Sequence, residues 1–163
     1  MKKFYLLPFI FMFLILACQK SNDSTDNPAT DTSVTDTNYG IFATLDGKDV
    51  SFKYGLEADT TYNSVDMWAW VDSTISGEHI QLEVIGYPLV PATYKVSDIS
   101  AVCTYYANHM AHPATNDVIV TVTSLTKTTV QGTFQGTFYK STVNGTEYHT
   151  FTKGKFNLKL TKP

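Results

Sequence analysis

The most informative absence in this 163-residue sequence is arginine, because all twelve of its basic residues are lysines. The planar guanidinium of arginine is the group that most often grips phosphates and base edges. The chain also carries fifteen acidic residues, so its formal net charge is −3 at pH 7. Proteins that bind nucleic acid usually present a basic surface instead. Both features argue against nucleic acid as a partner.

Charged side chains are scarce as well, at 17% of the sequence, whereas aromatic side chains make up 13%. Disordered chains usually have the opposite balance. Alanine, leucine and glutamate are sparse beside threonine, and this composition favours strands over helices. The length leaves room for a single ordinary domain. We therefore expect one folded domain made mostly of β-structure.

Long apolar runs are also missing, apart from residues 5–17, which follow Lys2 and Lys3 and end just before Cys18. A run of about 13 residues is too short to span a membrane as a helix and is typical of a signal peptide. Ile15, Leu16, Ala17 and Cys18 resemble the lipobox of bacterial lipoproteins. This resemblance implies that residues 1–17 are removed and that Cys18 is acylated. The alternative is an ordinary signal peptide, or a membrane helix, that happens to contain a cysteine.

The segment that follows, residues 18–38, is built almost entirely from small polar residues and aspartate. It has too little apolar surface to offset the entropy lost on ordering, so we predict a flexible tether. Gln19 follows the cysteine, and by resemblance to the sorting rule of enteric lipoproteins this favours the outer membrane. The domain would face either the periplasm or the medium. Without Lys2 and Lys3 the mature chain is more acidic, so the lipid rather than charge would attach it to the membrane.

Only two cysteines occur, Cys18 and Cys103, so an acylated Cys18 leaves Cys103 without a partner in the chain. Cys103 has apolar and aromatic neighbours in Val102, Tyr105 and Tyr106. We expect a buried, unreactive thiol there. A nucleophilic role is the alternative.

Residues 39–163 alternate between apolar and polar side chains over many short segments, as half-buried strands do. Asp46 with Gly47, and Asn144 with Gly145, are typical hairpin turns. About nine strands joined mostly by short turns predict an all-β domain, either an antiparallel sandwich or a partly open barrel. Residues 99–110 carry a competing helical pattern. Gly132 and Gly136 lie on the apolar face of one strand, which indicates a bend or a close approach of a neighbouring strand.

Several short motifs of this domain resemble a group of uncharacterised small lipoproteins of the Bacteroides type. They are Phe42 with Asp46-Gly47-Lys48, Ile85-Gly86, Pro91-Ala92-Thr93-Tyr94, Gly132-Thr133-Phe134 and Gly154-Lys155-Phe156. Ala92 departs from the pattern, which has glycine at that position. The resemblance implies a secreted all-β domain, and the family has no known activity or catalytic residues to transfer.

Side chains for catalysis or metal binding are few. His109 and His112 form the only close histidine pair, and with Cys103 or Met110 they are weak candidates for a soft metal site. Exposed loop histidines are the simpler interpretation, and no cofactor is expected. Asp66 and Asp72 are about 20 Å apart along an extended strand, too far for a catalytic pair, although Glu83 on a neighbouring strand could approach one of them. Nucleophile-elbow, phosphate-loop and dinucleotide motifs are missing.

Trp68 and Trp70 are two residues apart, so they share one face of a strand, opposite Val65, Met67, Ala69 and Val71. If the aliphatic face is the core, the indoles form an outer platform, flanked by Asp66 and Asp72, that suits a glycan or a peptide. The alternative is that the tryptophans fill a second buried face.

Two functions follow from these features. The first is a non-catalytic binding or accessory lipoprotein with a glycan or protein ligand. The second is a small metal-dependent or hydrolytic factor of the cell envelope that uses His109 and His112.

Overall fold

The computed structural model describes residues 39–61, 63–74 and 77–161. The signal peptide predicted at residues 1–17, the lipidation predicted at Cys18 and the tether predicted up to residue 38 lie outside the described residues. Within the described ranges, no helix has the length and apolar character needed to cross a membrane.

Eleven strands and one short 3-10 turn make up the described domain. The strands are β1 (Gly40–Leu45), β2 (Lys48–Phe52), β3 (Tyr54–Thr61), β4 (Ser64–Trp70), β5 (His79–Ile85), β6 (Thr93–Lys95), β7 (Ala101–Ala107), β8 (Met110–Pro113), β9 (Ile119–Leu125), β10 (Thr129–Thr142) and β11 (Gly145–Lys159). The 3-10 turn, Val96–Asp98, lies between β6 and β7.

The strands form two antiparallel sheets rather than a closed barrel. The six-stranded sheet has the order β2-β1-β11-β10-β9-β6, and the five-stranded sheet has the order β3-β4-β5-β7-β8. The predicted all-β antiparallel sandwich is therefore confirmed, with eleven strands where about nine were expected.

The helical alternative for residues 99–110 is wrong. Strand β7 buries every second residue from Ala101 to Ala107, and Cys103 and Tyr105 lie between them on the same buried face. The chain then reverses through Asn108 and His109, which both have positive φ, and returns as β8. Positive φ at both turn residues is typical of a tight hairpin turn, and no glycine marked it in the sequence.

The hydrophobic core lies between the inner faces of the two sheets. It contains the predicted alternating positions of β4, β5, β9, β10 and β11 together with several aromatic rings. The fully buried members include Ile41, Phe52, Val65, Met67, Ile80, Leu82, Val84, Val120, Phe138, Phe151 and Leu158. Because these residues face inward, their sequence neighbours form the two outer faces of the sandwich.

Two glycines of β10 explain how this strand fits between its neighbours. A Cβ on Gly132 would collide with the carbonyl oxygen of Thr121 and the ring of Phe156. Gly136 has φ of 138° and lies where the pairing of β10 with β11 shifts register. The predicted close approach of a neighbouring strand is confirmed at both glycines, since a Cβ on Gly136 would lie 2.5 Å from Val118 Cα.

Candidate functional site

The outer face of the five-stranded sheet carries the tryptophans singled out in the sequence. Strand β4 turns Val65, Met67 and Ala69 into the core, where none of them is exposed, so Trp68 and Trp70 point away from it. Both indoles are partly exposed. The predicted division of this strand into an aliphatic inner face and an aromatic outer face is confirmed.

Two further rings join the tryptophans. Strand register places His79 of β5 opposite Trp70 and places Tyr106 of β7 opposite His79. The ring centroids lie 5.2 Å apart for Trp70 and His79, and 4.1 Å apart for His79 and Tyr106. Trp68 lies 5.9 Å from His79, with the two rings inclined by 29°. We call these four residues the aromatic row.

Sequence reasoning missed His79 and Tyr106. Only the pairing of β4 with β5 and of β5 with β7 brings them beside Trp70, and a single sequence does not specify that register. The available signal was that His79 and Tyr106 occupy polar-face positions of their own strands.

Trp70 is the packed end of the aromatic row. Its ring covers Gly55 of β3, where an added Cβ would lie 2.7 Å from the indole Cε3. Gly55 also has φ of 51°, which favours glycine. The other side of Trp70 faces His79, so packing holds this indole in one position.

Trp68 is the member of the row that lines a half-open pocket of about 410 Å³. The other lining residues are Glu57 and Asp59 of β3, Asp66 of β4, and Thr161. Register places Glu57 opposite Trp68 and Asp59 opposite Asp66, so the acidic side chains project from the same sheet face as the indole. Gln81 of β5 donates a hydrogen bond to Asp66 Oδ1 at 3.1 Å.

The carboxylates of this face affect one another. Glu83 of β5 lies directly opposite Asp66, so Glu83 does approach one of the two aspartates, as the sequence suggested. Partial burial, and then the charge of Asp66, raise the pKa of Glu83, while its hydrogen bond to Ser64 opposes the change. The face therefore carries clustered negative charge beside an aromatic wall.

Asp72 does not line the pocket. It lies beyond the end of β4, in a turn where it accepts a hydrogen bond from the backbone N–H of Thr74 at 2.8 Å. Hydrogen bonds from the hydroxyl and backbone of Thr74 lower its pKa. Asp72 therefore has a local structural role in the turn, and the pocket carboxylates come from β3 and β4 instead.

The two candidate metal ligands face different environments. His109 is an exposed residue of the β7–β8 turn, whereas His112 in β8 is only 2% exposed. The interpretation of both as exposed loop histidines is therefore wrong for His112, because β8 points its ring into the sandwich. Among the residues that the structure describes, no group of three or more histidine, cysteine or acidic side chains is arranged to hold a metal ion.

Cys103 is buried in β7, as predicted, with 3% of its surface exposed. Burial raises the pKa of its thiol to about 12. A thiol in this state is a poor nucleophile at neutral pH.

No model of a known protein family matches this chain, and no curated protein or solved structure matches it either. A function for the outer face therefore has to follow from the chemistry of its own side chains.

Proposed function

We propose that this chain is a lipid-anchored protein of the bacterial cell envelope whose β-sandwich binds a glycan without catalysing a reaction. The attachment is supported by the lipobox-like sequence before Cys18, and the outer-membrane location by Gln19 after it. The binding role is supported by one observation above all: Trp68 forms the wall of a half-open pocket whose other side chains are polar.

The chemistry of this pocket suits a sugar. The face of an indole packs against the C–H groups of a pyranose ring, and carboxylates accept hydrogen bonds from its hydroxyl groups. Asp66, two residues before Trp68 on β4, and Glu57, opposite Trp68 on β3, supply such acceptors. A volume of about 410 Å³ lies in the lower part of the range for small-molecule sites. The stacked rings behind Trp68 hold it in place before a ligand arrives, which reduces the entropy lost on binding.

The arrangement of the carboxylates favours binding over hydrolysis. A glycosidase places its acid and its nucleophile or base on opposite sides of the scissile bond. Asp59, Asp66 and Glu83 instead lie side by side across three neighbouring strands and project from one sheet face. A sugar on this face would meet all three from the same side.

Oligosaccharide binding by a Trp68→Ala variant tests the proposal. The purified chain is measured against a panel of neutral oligosaccharides by calorimetry, with Tyr148→Ala as the matched control. Tyr148 is a 60% exposed aromatic residue of β11, on the other sheet. We expect Trp68→Ala to lose at least tenfold in affinity for the oligosaccharide that binds best, and Tyr148→Ala to bind like the parent.

Circular dichroism and thermal unfolding establish that both variants fold. A folded Trp68→Ala variant with unchanged affinity contradicts the proposed site. Failure of the parent to bind any oligosaccharide of the panel contradicts the glycan ligand itself.

A further inference from the structure

A second cluster of titratable side chains lies where the two sheets meet, away from the aromatic row. His112 of β8 belongs to the five-stranded sheet and His149 of β11 to the six-stranded sheet, and their ring centroids are 4.8 Å apart. Tyr105 of β7 packs against both, at 5.7 Å from His112 and 5.4 Å from His149. We call these three residues the histidine seam.

The two histidines differ in the partners that surround their rings. The side chain of His149 is 18% exposed, and its Nδ1 lies 2.8 Å from Asp46 Oδ2 while its Nε2 lies 3.4 Å from Glu147 Oε1. Asp46 is itself fixed by the backbone N–H of Thr150, which donates to its Oδ1 at 2.7 Å. A positive charge on His149 therefore has two carboxylates beside it.

His112, in contrast, forms no ion pair with a described carboxylate. Its ring is 2% exposed, and its Nδ1 finds no hydrogen-bond partner among the described residues. A neutral imidazole fits this environment, whereas a proton on Nδ1 would create a buried, charged donor without an acceptor.

The charged groups around His112 strengthen this asymmetry. Burial, then the charge of His149, and also that of Lys140 on β10, lower the pKa of His112, while Glu147 on β11 opposes them. On β7, burial and then the charge of Glu78 raise the pKa of Tyr105, so this ring adds no charge to the seam. Protonation of His149 therefore makes protonation of His112 harder as long as the seam stays closed.

The element most easily released is β8 itself. It has four residues and lies at the edge of its sheet, where β7 is the one described strand that pairs with it. Directly after β8 the chain crosses to the other sheet, where Ala114 bridges to Phe138. Moving β8 outward would hydrate the His112 ring and would leave the remaining sheet pairings intact.

We propose that the histidine seam is an acid-sensitive latch, in which protonation of His112 releases strand β8 from the sandwich while the two sheets stay folded. In the closed state β8 covers the edge of β7. In the open state the backbone groups of β7 become available to solvent or to another strand. Since one proton drives the change, each pH unit below about 6.5 shifts the equilibrium toward the open state by at most about tenfold.

Amide hydrogen exchange of the full chain between pH 7.5 and pH 5 tests the latch. After correction for the intrinsic pH dependence of exchange, we expect the opening equilibrium at Met110 and His112, whose N–H groups face β7 in the alternating ladder, to rise at least tenfold, while protection in β10 stays unchanged. His112→Phe should abolish the rise, because its ring fills the same space and does not titrate. His109→Asn, in the turn that precedes β8, should retain it.

Histidine ring titration by NMR in the parent chain keeps the test decisive if His112→Phe fails to fold. The latch predicts that the His112 ring titrates over the same pH range in which β8 opens. Persistent protection of β8 at pH 5, opening that spreads equally through β10, or loss of the response in His109→Asn would each overturn the proposal.

Discussion

The ring of His79 lies parallel to the ring of Tyr106, with 4.1 Å between the centroids and 11° between the planes. Trp70 continues the stack on the other side of His79, at 5.2 Å. His79 therefore joins the tryptophan end of the aromatic row to the tyrosine end. Its Nδ1 donates to the carbonyl oxygen of Gly77 at 3.1 Å, and this bond fixes the plane of the ring.

Removing this central ring should lower stability. We expect His79→Ala to reduce the free energy of unfolding by about 1–3 kcal/mol, because it breaks the stacked contacts of His79 with Trp70 and Tyr106, which are each worth about 0.5–1.5 kcal/mol. Urea denaturation measures the change. The control is His109→Asn, since His109 is exposed and asparagine tolerates its positive φ. Equal stability of the two variants would mean that the stack contributes nothing.

Gly132 should tolerate no side chain. In Gly132→Ala the new methyl group meets the Thr121 carbonyl oxygen and the Phe156 ring, so we expect a loss of about 3 kcal/mol in the free energy of unfolding. Gly145→Ala is the matched control. Gly145 has open space around its Cβ position and only an unfavourable φ of 132°, so it should lose about 1 kcal/mol. A smaller loss of unfolding free energy for Gly132→Ala than for Gly145→Ala would show that β9 and β11 shift readily to make room for the methyl group.

Much of the fold could be predicted because period-two alternation is a local property of the chain. Val65, Met67 and Ala69 indicated an inner face of β4 without knowledge of any other strand, and all three are fully buried. Strand β8 was missed because its four residues, Met110–Pro113, are too few to establish an alternation. Its turn at Asn108 and His109 also lacks the usual glycine.

The candidate site could be predicted only in part, because it depends on pairing between strands. Trp68 and Asp66 share a strand, and their common face followed from their spacing. Glu57 and Asp59 complete the pocket through the register of β3 with β4, and a bulge between Tyr54 and Glu57 sets that register. His149 joins His112 across 37 residues of sequence for the same reason, and no local pattern marked the pair.

Cys103 should be unreactive in the folded protein. Burial raises the pKa of its thiol to about 12, so the thiolate that attacks disulfide reagents is almost absent at pH 8. In a Cys18→Ala chain we expect no reaction with an aromatic disulfide reagent under native conditions, and one equivalent of reaction in denaturant. Fast reaction without denaturant would contradict the buried position of β7.

Membrane attachment should depend on Cys18 alone. If acylation of Cys18 anchors the chain, Cys18→Ala moves the protein from the membrane fraction to the soluble fraction of lysed cells. Cys103→Ala is the matched control and should remain with the membranes. Retention of Cys18→Ala in the membrane fraction would exclude the proposed lipid anchor.

The charge of Glu83 should lower the stability of the domain at neutral pH. Its carboxylate lies opposite Asp66, and partial burial together with the charge of Asp66 raises its pKa. A group whose pKa is raised by folding favours the folded state at pH values below its unfolded pKa. That contribution is lost as the pH rises through the folded value.

Glu83→Gln removes this charge and retains an amide that can bond with Ser64. We therefore expect it to raise the free energy of unfolding by about 0.5 kcal/mol at pH 7, the scale of a like-charge cross-strand pair, and to leave it unchanged at pH 3. Urea denaturation at both pH values measures the difference, and Glu57→Gln on β3, two strands away in the same sheet, is the control. A gain in the free energy of unfolding that persists at pH 3 would come from packing rather than from charge. A gain confined to neutral pH would mean that the clustered acidic side chains of this face destabilise the domain.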